Sequence, residues 1–170
     1  MMYKKLVGFT AGAFDLLHPG HIYFLDQCKK KCNYLIIGLH VDPSVDRPEK
    51  NKPIQTSYER YVQLAAIKSV DKIVPYDSEL DLHNMLATLD VQVRFLGSDY
   101  INTDFTAKEF CNQLNIQLVY IPRVHTYSSS ELRERLSAFS TFKKEDYFKV
   151  SSAESRSQRW DDADCLLVYR

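Results

Sequence analysis

Short apolar runs alternate along the chain with longer stretches in which apolar residues recur every three or four positions. The run YLIIGLHV is almost continuously apolar, which is typical of a strand buried on both faces of a parallel sheet. This pattern predicts strands at residues 4–10, 34–41, 72–76, 91–97 and 116–122.

Each of these strands is followed by an amphipathic segment of helical period. The predicted helices are residues 21–32, 57–70, 79–89, 107–114 and 129–139. Ser57 is the predicted N-cap of the second of them. Regular alternation of strand and helix implies right-handed crossovers. The predicted fold class is therefore α/β, a doubly wound, Rossmann-like parallel sheet of five strands with helices on both faces.

The loops that follow the strands meet at one edge of such a sheet, and ligands of doubly wound folds bind outside the carboxyl ends of the strands. Four loops of this chain fall there: GAFDLLHPGH, VDPSVDRPEKNKP, GSDYINTDF and PRVHTYSSS. We expect the chemistry of the protein to be assembled from them.

Length and composition predict one domain at residues 1–140 and a C-terminal extension at 141–170. The extension is Ser-rich and charged, then briefly apolar, and it could be a flexible appendage or a segment packed on the core or on a second subunit. Its role stays open.

Charge and hydropathy narrow the expected partners. The 22 basic residues balance 22 acidic ones, so bulk charge favours neither nucleic acid nor an anionic membrane. The chain has no apolar run long enough for a membrane span, and its N-terminus lacks the apolar core of a signal peptide. These features predict a cytoplasmic protein.

Cys28 and Cys32 lie one helical turn apart, but no second pair of ligands with zinc-site spacing follows them. We expect reduced, partly packed thiols and no protein-held metal.

The stretch GAFDLLHPGH carries the strongest chemical signal. His18 and His21 are three residues apart and therefore neighbours on the opening turn of a helix, where unpaired N–H groups favour phosphate. Gly12 would permit a tight turn and Asp15 places a carboxylate at the strand exit. The alternatives to phosphate binding are two histidines that only make structural hydrogen bonds, or a pair of zinc ligands. Phosphate binding is favoured because it also explains the glycines of this stretch and the lysines elsewhere in the chain.

These residues resemble the nucleotidyltransferase superfamily, since His18-Pro19-Gly20-His21 is similar to its HxGH motif. Four further segments resemble the cytidylyltransferases, and the glycerol-3-phosphate cytidylyltransferases above all. In chain order they are GAFD, the loop with Lys50 and Lys52, RFLGSDY and YIPRVHTYSSSELRERL. The resemblance covers about residues 4–138.

The chain departs from that family in four places. Ala13 stands where a threonine is usual, and Lys68 where an arginine is usual. One residue is lost near YER, and Val124 with His125 alters the loop beside the nucleotide. In addition, the run VDPSVDRPEKNKPI resembles the adenylyltransferase domain that activates heptose 1-phosphate.

The resemblance implies direct attack of an acceptor phosphate on the α-phosphorus of a nucleoside triphosphate, with Mg²⁺ on the triphosphate and a homodimeric enzyme. It implies catalytic roles for His18, His21, Lys52 and Arg123. The nucleotide-binding set that it implies is Gly12, Ala13, Phe14, Asp15, His18, His21, Lys50, Lys52, Asp99, Arg123, Tyr127, Ser128 and Ser129.

The favoured function is transfer of CMP from CTP to a phosphorylated alcohol, with glycerol 3-phosphate as the leading acceptor. The alternatives are an ATP-dependent adenylyltransferase acting on a sugar phosphate or flavin mononucleotide, and a nucleotide-binding protein without turnover, which the Ala13 and Lys68 changes keep open.

Overall fold

A computed structural model of the chain describes residues 6–124 and 126–140. The chain divides into two compact units, Met1–Ser129 and Ser130–Arg170. The first unit contains the whole sheet, and the described part of the second is helical. The predicted extension at 141–170 and His125 lie outside the described residues.

In the part that the structure describes, the first unit is built on five parallel strands. They are β1 (Val7–Gly12), β2 (Tyr34–His40), β3 (Lys72–Tyr76), β4 (Val93–Gly97) and β5 (Gln117–Ile121). Their order across the sheet is β3-β2-β1-β4-β5, so β2 and β3 lie on one side of β1, and β4 and β5 lie on its other side. Doubly wound sheets bind ligands at such a switch point. The predicted α/β parallel sheet is confirmed.

Within residues 6–124 and 126–140, six helices connect or follow the strands. They are α1 (Pro19–Lys29), α2 (Pro43–Asp46), α3 (Ser57–Ala65), α4 (Glu79–Thr88), α5 (Lys108–Gln113) and α6 (Ser129–Ser140). A 3₁₀ turn at Ser98–Tyr100 follows β4. The short α2 and the 3₁₀ turn lie in stretches that the sequence predicted as loop, because each is too short to show a helical period.

Two helices begin with reciprocal capping. Thr56, rather than the predicted Ser57, is the N-cap of α3, and its side chain exchanges hydrogen bonds with Glu59. Ser78 and Asp81 do the same for α4. The hydroxyl and backbone N–H donors of the caps hold the pKa of Glu59 and of Asp81 below their usual values.

Helices cover both faces of the sheet, as predicted. On one face, α4 and α5 pack through Leu82, Leu86 and Cys111 against a core that includes Phe9 and Ile36. On the other, α1 and α3 bury a second set against the sheet, namely Leu25, Cys28, Leu64, Ile37 and Phe95. Each face thus has its own apolar layer, with the carboxyl edge of the strands left to polar residues.

Cys28, Cys32 and Cys111 are buried free thiols, as expected. Burial raises the pKa of Cys28 and Cys32, so both remain protonated and unreactive. Among the described residues, no helix has the length and apolar character to cross a membrane.

Candidate active site

The turn from β1 to α1 is formed by two residues with left-handed backbone. Phe14 and Leu16 both have φ of 50°, a region that costs energy for residues with a side chain. Gly12, which the sequence analysis singled out for this freedom, has no positive φ. The strain of the turn is therefore carried by Phe14 and Leu16, and strain of this kind is often found at functional sites.

Asp15 joins this turn to the segment that carries the lysines, residues 47–56, here called the lysine loop. Its carboxylate is buried and accepts hydrogen bonds from the N–H groups of Ile54 and Gln55 at 3.1 and 2.9 Å. The N–H of Leu16 donates in turn to the Gln55 side chain at 2.8 Å. Asp15 thus positions the lysine loop, and the contact with the nucleotide or divalent ion expected from the sequence stays a prediction.

Arg60, on α3, also binds the β1–α1 turn and the lysine loop. Its guanidinium is 1% exposed and donates to four backbone carbonyls, those of Ala13, His40, Val41 and Gln55, at 2.7, 2.8, 2.6 and 3.1 Å. Burial lowers its pKa, and the nearby charge of Asp15 acts in the opposite direction. One buried cation thereby fixes the ends of β1 and β2 and the end of the lysine loop.

His18 and His21 lie side by side at the start of α1. His18 is the N-cap, and its Nδ1 accepts the Gly20 N–H at 3.1 Å, so the neutral ring carries its proton on Nε2 as a donor. The two imidazoles stack with centroids 3.9 Å apart, and Phe14 packs at 5.5 Å against His21. Both rings therefore stand at the positive end of the helix dipole, where an anion is stabilised.

These histidines line a cavity of about 330 Å³, here called the histidine cavity, which is within the usual size range of small-molecule sites. The structure brings seven of the predicted nucleotide-binding residues into its wall: His18, His21, Asp99, Arg123, Tyr127, Ser128 and Ser129. The other six are outside the wall: Gly12, Ala13, Phe14, Asp15, Lys50 and Lys52. The predicted set therefore separates into wall residues and residues of the supporting turn and loop.

Tyr23, Phe24 and Tyr100 also line the histidine cavity and were missed by the sequence analysis. Phe24 lies three residues after His21, so helical spacing places it on the same face of α1. Tyr100 belongs to the loop after β4, which the fold prediction had already placed at the ligand edge.

Arg123 is held at the cavity by weak partners. Its Nη1 lies 3.5 Å from the carboxylate of Asp99, and its Nη2 donates to the Tyr127 carbonyl at 3.0 Å. Both charged side chains are exposed, by 42% and 64%, so the pair contributes little to stability. A phosphate could replace Asp99 on the guanidinium at low cost.

The serines at the start of α6 are placed differently from each other. Ser129 donates its hydroxyl to the Asp15 carbonyl at 2.8 Å, which ties the cavity wall to the β1–α1 turn. Ser128 lines the same wall and is half-buried. The hydroxyl proton of Ser129 is therefore engaged inside the protein, while its oxygen can still accept a hydrogen bond.

The lysine loop does not bring its lysines into the histidine cavity in this structure. Lys50 and Lys52 are exposed, and Lys50 lines a second cavity instead. The charge of Lys52 acts on Asp42, whose pKa is lowered first by the Ser44 hydroxyl. The predicted contact of both lysines with phosphates would require this loop to move.

Within the described residues, neither Asp99, in the wall of the histidine cavity, nor Asp15, in the turn outside that wall, belongs to a cluster of three metal-ligating side chains. Asp15 is occupied by two backbone N–H groups, and Asp99 is an exposed partner of Arg123. This donor set fits a Mg²⁺ ion held mainly by substrate phosphates, as Mg²⁺ in nucleotide sites usually is.

Comparison with protein families gives one match, to a model described as cytidylyltransferase-like, over residues 9–157. Among curated proteins, the bifunctional protein HldE of Hyphomonas neptunium is 32% identical over 130 residues, 76% of this chain and 26% of that protein. HldE of a Caulobacter species is 42% identical over 95 residues, 55% of this chain and 19% of that protein. The chain thus spans about a quarter or less of the length of these relatives.

Two solved structures share the fold. A lipopolysaccharide core biosynthesis protein from Thermoplasma volcanium matches with a TM-score of 0.58 at 24% identity, covering 74% of this chain and all of that one. Pantothenate synthetase from Thermus thermophilus matches with a TM-score of 0.51 at 17% identity, covering 77% of this chain and 64% of that one. At these identities the likeness concerns the fold alone.

Proposed function

Because this chain belongs to the cytidylyltransferase-like family, we propose that it is a nucleotidyltransferase that transfers AMP from ATP to a sugar phosphate and releases pyrophosphate. The observation that carries the transfer chemistry is the stacked pair of His18 and His21 at the N-terminus of α1, in one cavity with Arg123. This cavity offers donors and positive charge for a triphosphate, as the reaction requires.

The choice of ATP and a sugar phosphate rests on two further observations. The curated relatives are bifunctional HldE proteins, and these relatives favour a sugar-phosphate adenylyltransferase over a CTP enzyme. The run VDPSVDRPEKNKPI also resembles the adenylyltransferase domain that activates heptose 1-phosphate. The glycerol 3-phosphate and CTP function favoured by the sequence motifs is therefore the second candidate.

In the proposed reaction, a phosphate oxygen of the acceptor attacks the α-phosphorus of ATP and the bond to the β-phosphate oxygen breaks. The attacking oxygen already carries negative charge, so the protein needs no covalent intermediate. Its task is alignment and stabilisation of the charge that develops on the α-phosphate oxygens.

The described residues fit these tasks. The Nε2–H of His18 would donate to an α-phosphate oxygen, with His21 beside it, and the Arg123 fork would bind the β- and γ-phosphates in place of Asp99. Ser128 and Ser129 would offer hydroxyl and backbone donors at the start of α6. A bound Mg²⁺ would supply charge neutralisation on the triphosphate.

Lys50 and Lys52 would complete the site when the lysine loop moves toward the phosphates. Asp15 and Arg60 hold both ends of the movable part, because they fix Ile54 and Gln55 on one side and Val41 on the other. Following the family resemblance, we propose that both lysines bind the phosphates and that Lys52 also has a catalytic role.

Pyrophosphate release with Mg²⁺ tests the proposal. ATP and CTP would each be paired with heptose 1-phosphate, glycerol 3-phosphate, ribitol 5-phosphate and flavin mononucleotide. We expect turnover with ATP and a sugar phosphate. Turnover with CTP and glycerol 3-phosphate alone would move the enzyme to the second candidate, and nucleotide binding without turnover on any acceptor would contradict both.

The proposed enzyme is a cytoplasmic homodimer, as the family resemblance suggests. Light scattering at working concentration would test the dimer, and a monomer would contradict it.

A further inference from the structure

A second cavity, of about 640 Å³, lies next to the histidine cavity. Residues of the lysine loop, α4, α5 and the segment between β4 and α5 form its wall, and Tyr100 lines both cavities. We call it the charged cavity. It is on the side of the sheet that α4 and α5 cover, and it opens at the carboxyl edge where transfer would occur.

The wall of the charged cavity combines cations with carboxylates. Arg47, Lys50 and Lys108 contribute the positive charges, and four acidic residues, Glu79 and Glu109 among them, contribute the negative ones. The cations would bind a phosphate group. The carboxylates would bind hydroxyl groups, because an ionised carboxylate only accepts hydrogen bonds. The mixture suits a ligand that carries one phosphate and several hydroxyls.

Arg47 and Glu79 are paired by charge but poorly hydrogen-bonded. Arg47 Nε lies 3.2 Å from Glu79, yet within the described residues neither this Nε nor either Glu79 oxygen makes a hydrogen bond. The other end of the guanidinium rests 3.4 Å from His40 Nδ1. Since charged groups left without hydrogen bonds are costly, both side chains would gain from a ligand with acceptors for Arg47 and donors for Glu79.

His40, Asp46 and Glu79 also lie close enough together to suggest a cation site. Arg47 already places its guanidinium against His40 and Glu79. The cluster therefore already contains a cation of the chain itself, the Arg47 guanidinium.

A buried arginine lies behind the wall. Arg94 on β4 is 5% exposed, donates to the Thr106 carbonyl at 2.8 Å and stands 5.2 Å from the Phe105 ring centroid. Across the described residues it forms no ion pair, and its Nε has no hydrogen bond. Burying such a charge without a counter-ion is unfavourable, so an anion in the cavity beyond Thr106 would be stabilised.

Tyr100 is the residue that the two cavities share. A ligand in the charged cavity would therefore reach the histidine cavity past Tyr100.

We propose that the charged cavity is the acceptor site and that it selects a sugar phosphate over a three-carbon polyol phosphate, with Arg47 binding the phosphate and Glu79 and Lys108 binding sugar hydroxyls. This assignment rests on the proposed nucleotidyl transfer. Glycerol 3-phosphate has fewer hydroxyls than the cavity has carboxylates and would leave most of the cavity unfilled. A sugar ring with its hydroxyls matches both the size and the charges.

Steady-state kinetics with ATP and heptose 1-phosphate would test the assignment through R47A, R47K and K108A, with K31A as the control. Lys31 is an exposed lysine after α1, away from both cavities. We expect R47A and K108A to raise KM for heptose 1-phosphate about tenfold or more with KM for ATP nearly unchanged, R47K to recover part of the loss, and K31A to match wild type. Equal KM values for the acceptor in wild type and R47A would overturn the proposal.

The preference for a sugar would be tested by E79Q, which keeps the shape of the side chain and removes its charge. We expect the ratio of kcat/KM for heptose 1-phosphate over glycerol 3-phosphate to fall about tenfold. An unchanged ratio would remove Glu79 from the selection.

A binding measurement separates this proposal from the proposed function. Amide shifts of ¹⁵N-labelled protein would be followed during titration with heptose 1-phosphate alone. Shifts centred on Arg47, Thr106 and Lys108 would support the acceptor site even if wild-type turnover failed, whereas shifts confined to the histidine cavity would contradict it even if turnover succeeded. Melting temperatures of R47A and R47K would identify a loss caused by misfolding.

Discussion

In the proposed reaction His18 would have two functions at one position, one for each ring nitrogen. Nδ1 accepts the Gly20 N–H and caps α1, and Nε2 is the donor that the proposed reaction needs. The sequence motif predicted the histidine pair and its anion preference. It could not predict the cap, since the choice of ring nitrogen depends on the extended backbone of His18, which the sequence does not display.

These two functions can be separated by substitution. H18N retains an acceptor at the N-cap and lacks Nε2, whereas H18A loses both. We expect both variants to lose turnover by about 10²–10³-fold, and H18A alone to lose about 1 kcal/mol of unfolding free energy. Turnover assays and urea denaturation would measure the two effects, and an H18N enzyme with wild-type kcat would remove His18 from the chemistry.

His40 is a buried histidine whose charge state affects stability. It is fully buried at the end of β2, its Nε2 donates to the Asp77 carbonyl, and its Nδ1 faces Arg47. Burial lowers its pKa below the ordinary 6.5, and Arg47 acts in the same direction while Glu79 and Asp46 oppose it. The folded protein therefore resists a proton that the unfolded chain takes up.

The sign of the pH dependence follows from this difference. Above pH 6.5 His40 is neutral in both the folded and the unfolded state, and it does not lower the free energy of unfolding. As the pH falls below 6.5 the free energy of unfolding decreases, because the unfolded chain binds a proton at this histidine more readily than the folded protein does. H40Q keeps a donor for the Asp77 carbonyl and cannot be protonated. We expect its free energy of unfolding to fall less than that of wild type between pH 7.5 and 5.5; an identical fall in urea denaturation would exclude His40 as the cause.

At the scale of elements, apolar periodicity predicted β3 at its observed bounds and most other strand and helix ends to within three residues. The end of α3 is the exception, because it was predicted at residue 70 and lies at Ala65. What it missed was set by side-chain hydrogen bonds. Thr56 and Ser57 are both N-cap residue types, and only the position of Glu59 relative to the cap decides between them. The short α2 is fixed by the Asp42 side chain and by Arg47, and neither leaves a period in the sequence.

The N-cap of α3 can be tested directly. T56A removes the hydroxyl that accepts from the Glu59 N–H, and we expect a loss of about 1 kcal/mol in unfolding free energy. T56S keeps the hydroxyl and should remain close to wild type. T88A is the matched control, because Thr88 is an exposed threonine near the end of α4 that bonds only to its own helix. Equal midpoints for T56A and T88A would contradict the assigned cap.

At the scale of the whole first unit, parallel strand order brings distant loops to one edge. The fold prediction placed the histidine turn, the loop after β4 and the serine segment together, and the histidine cavity unites them. The role of Asp15 and the charged cavity were not predictable in this way. Both depend on contacts between segments far apart in sequence, such as Asp15 with Gln55 or Arg47 with Glu79.

The central claim is that the histidine cavity directs attack on the α-phosphorus of ATP. Its most direct test follows radiolabel from α-³²P-ATP and from γ-³²P-ATP into products with heptose 1-phosphate as acceptor, with H18N as the control. We predict that the α label enters the nucleotide–sugar product and the γ label leaves in pyrophosphate, both only with the wild-type histidine. Transfer of the γ label to the acceptor, or α-label transfer that H18N leaves unchanged, would contradict the account.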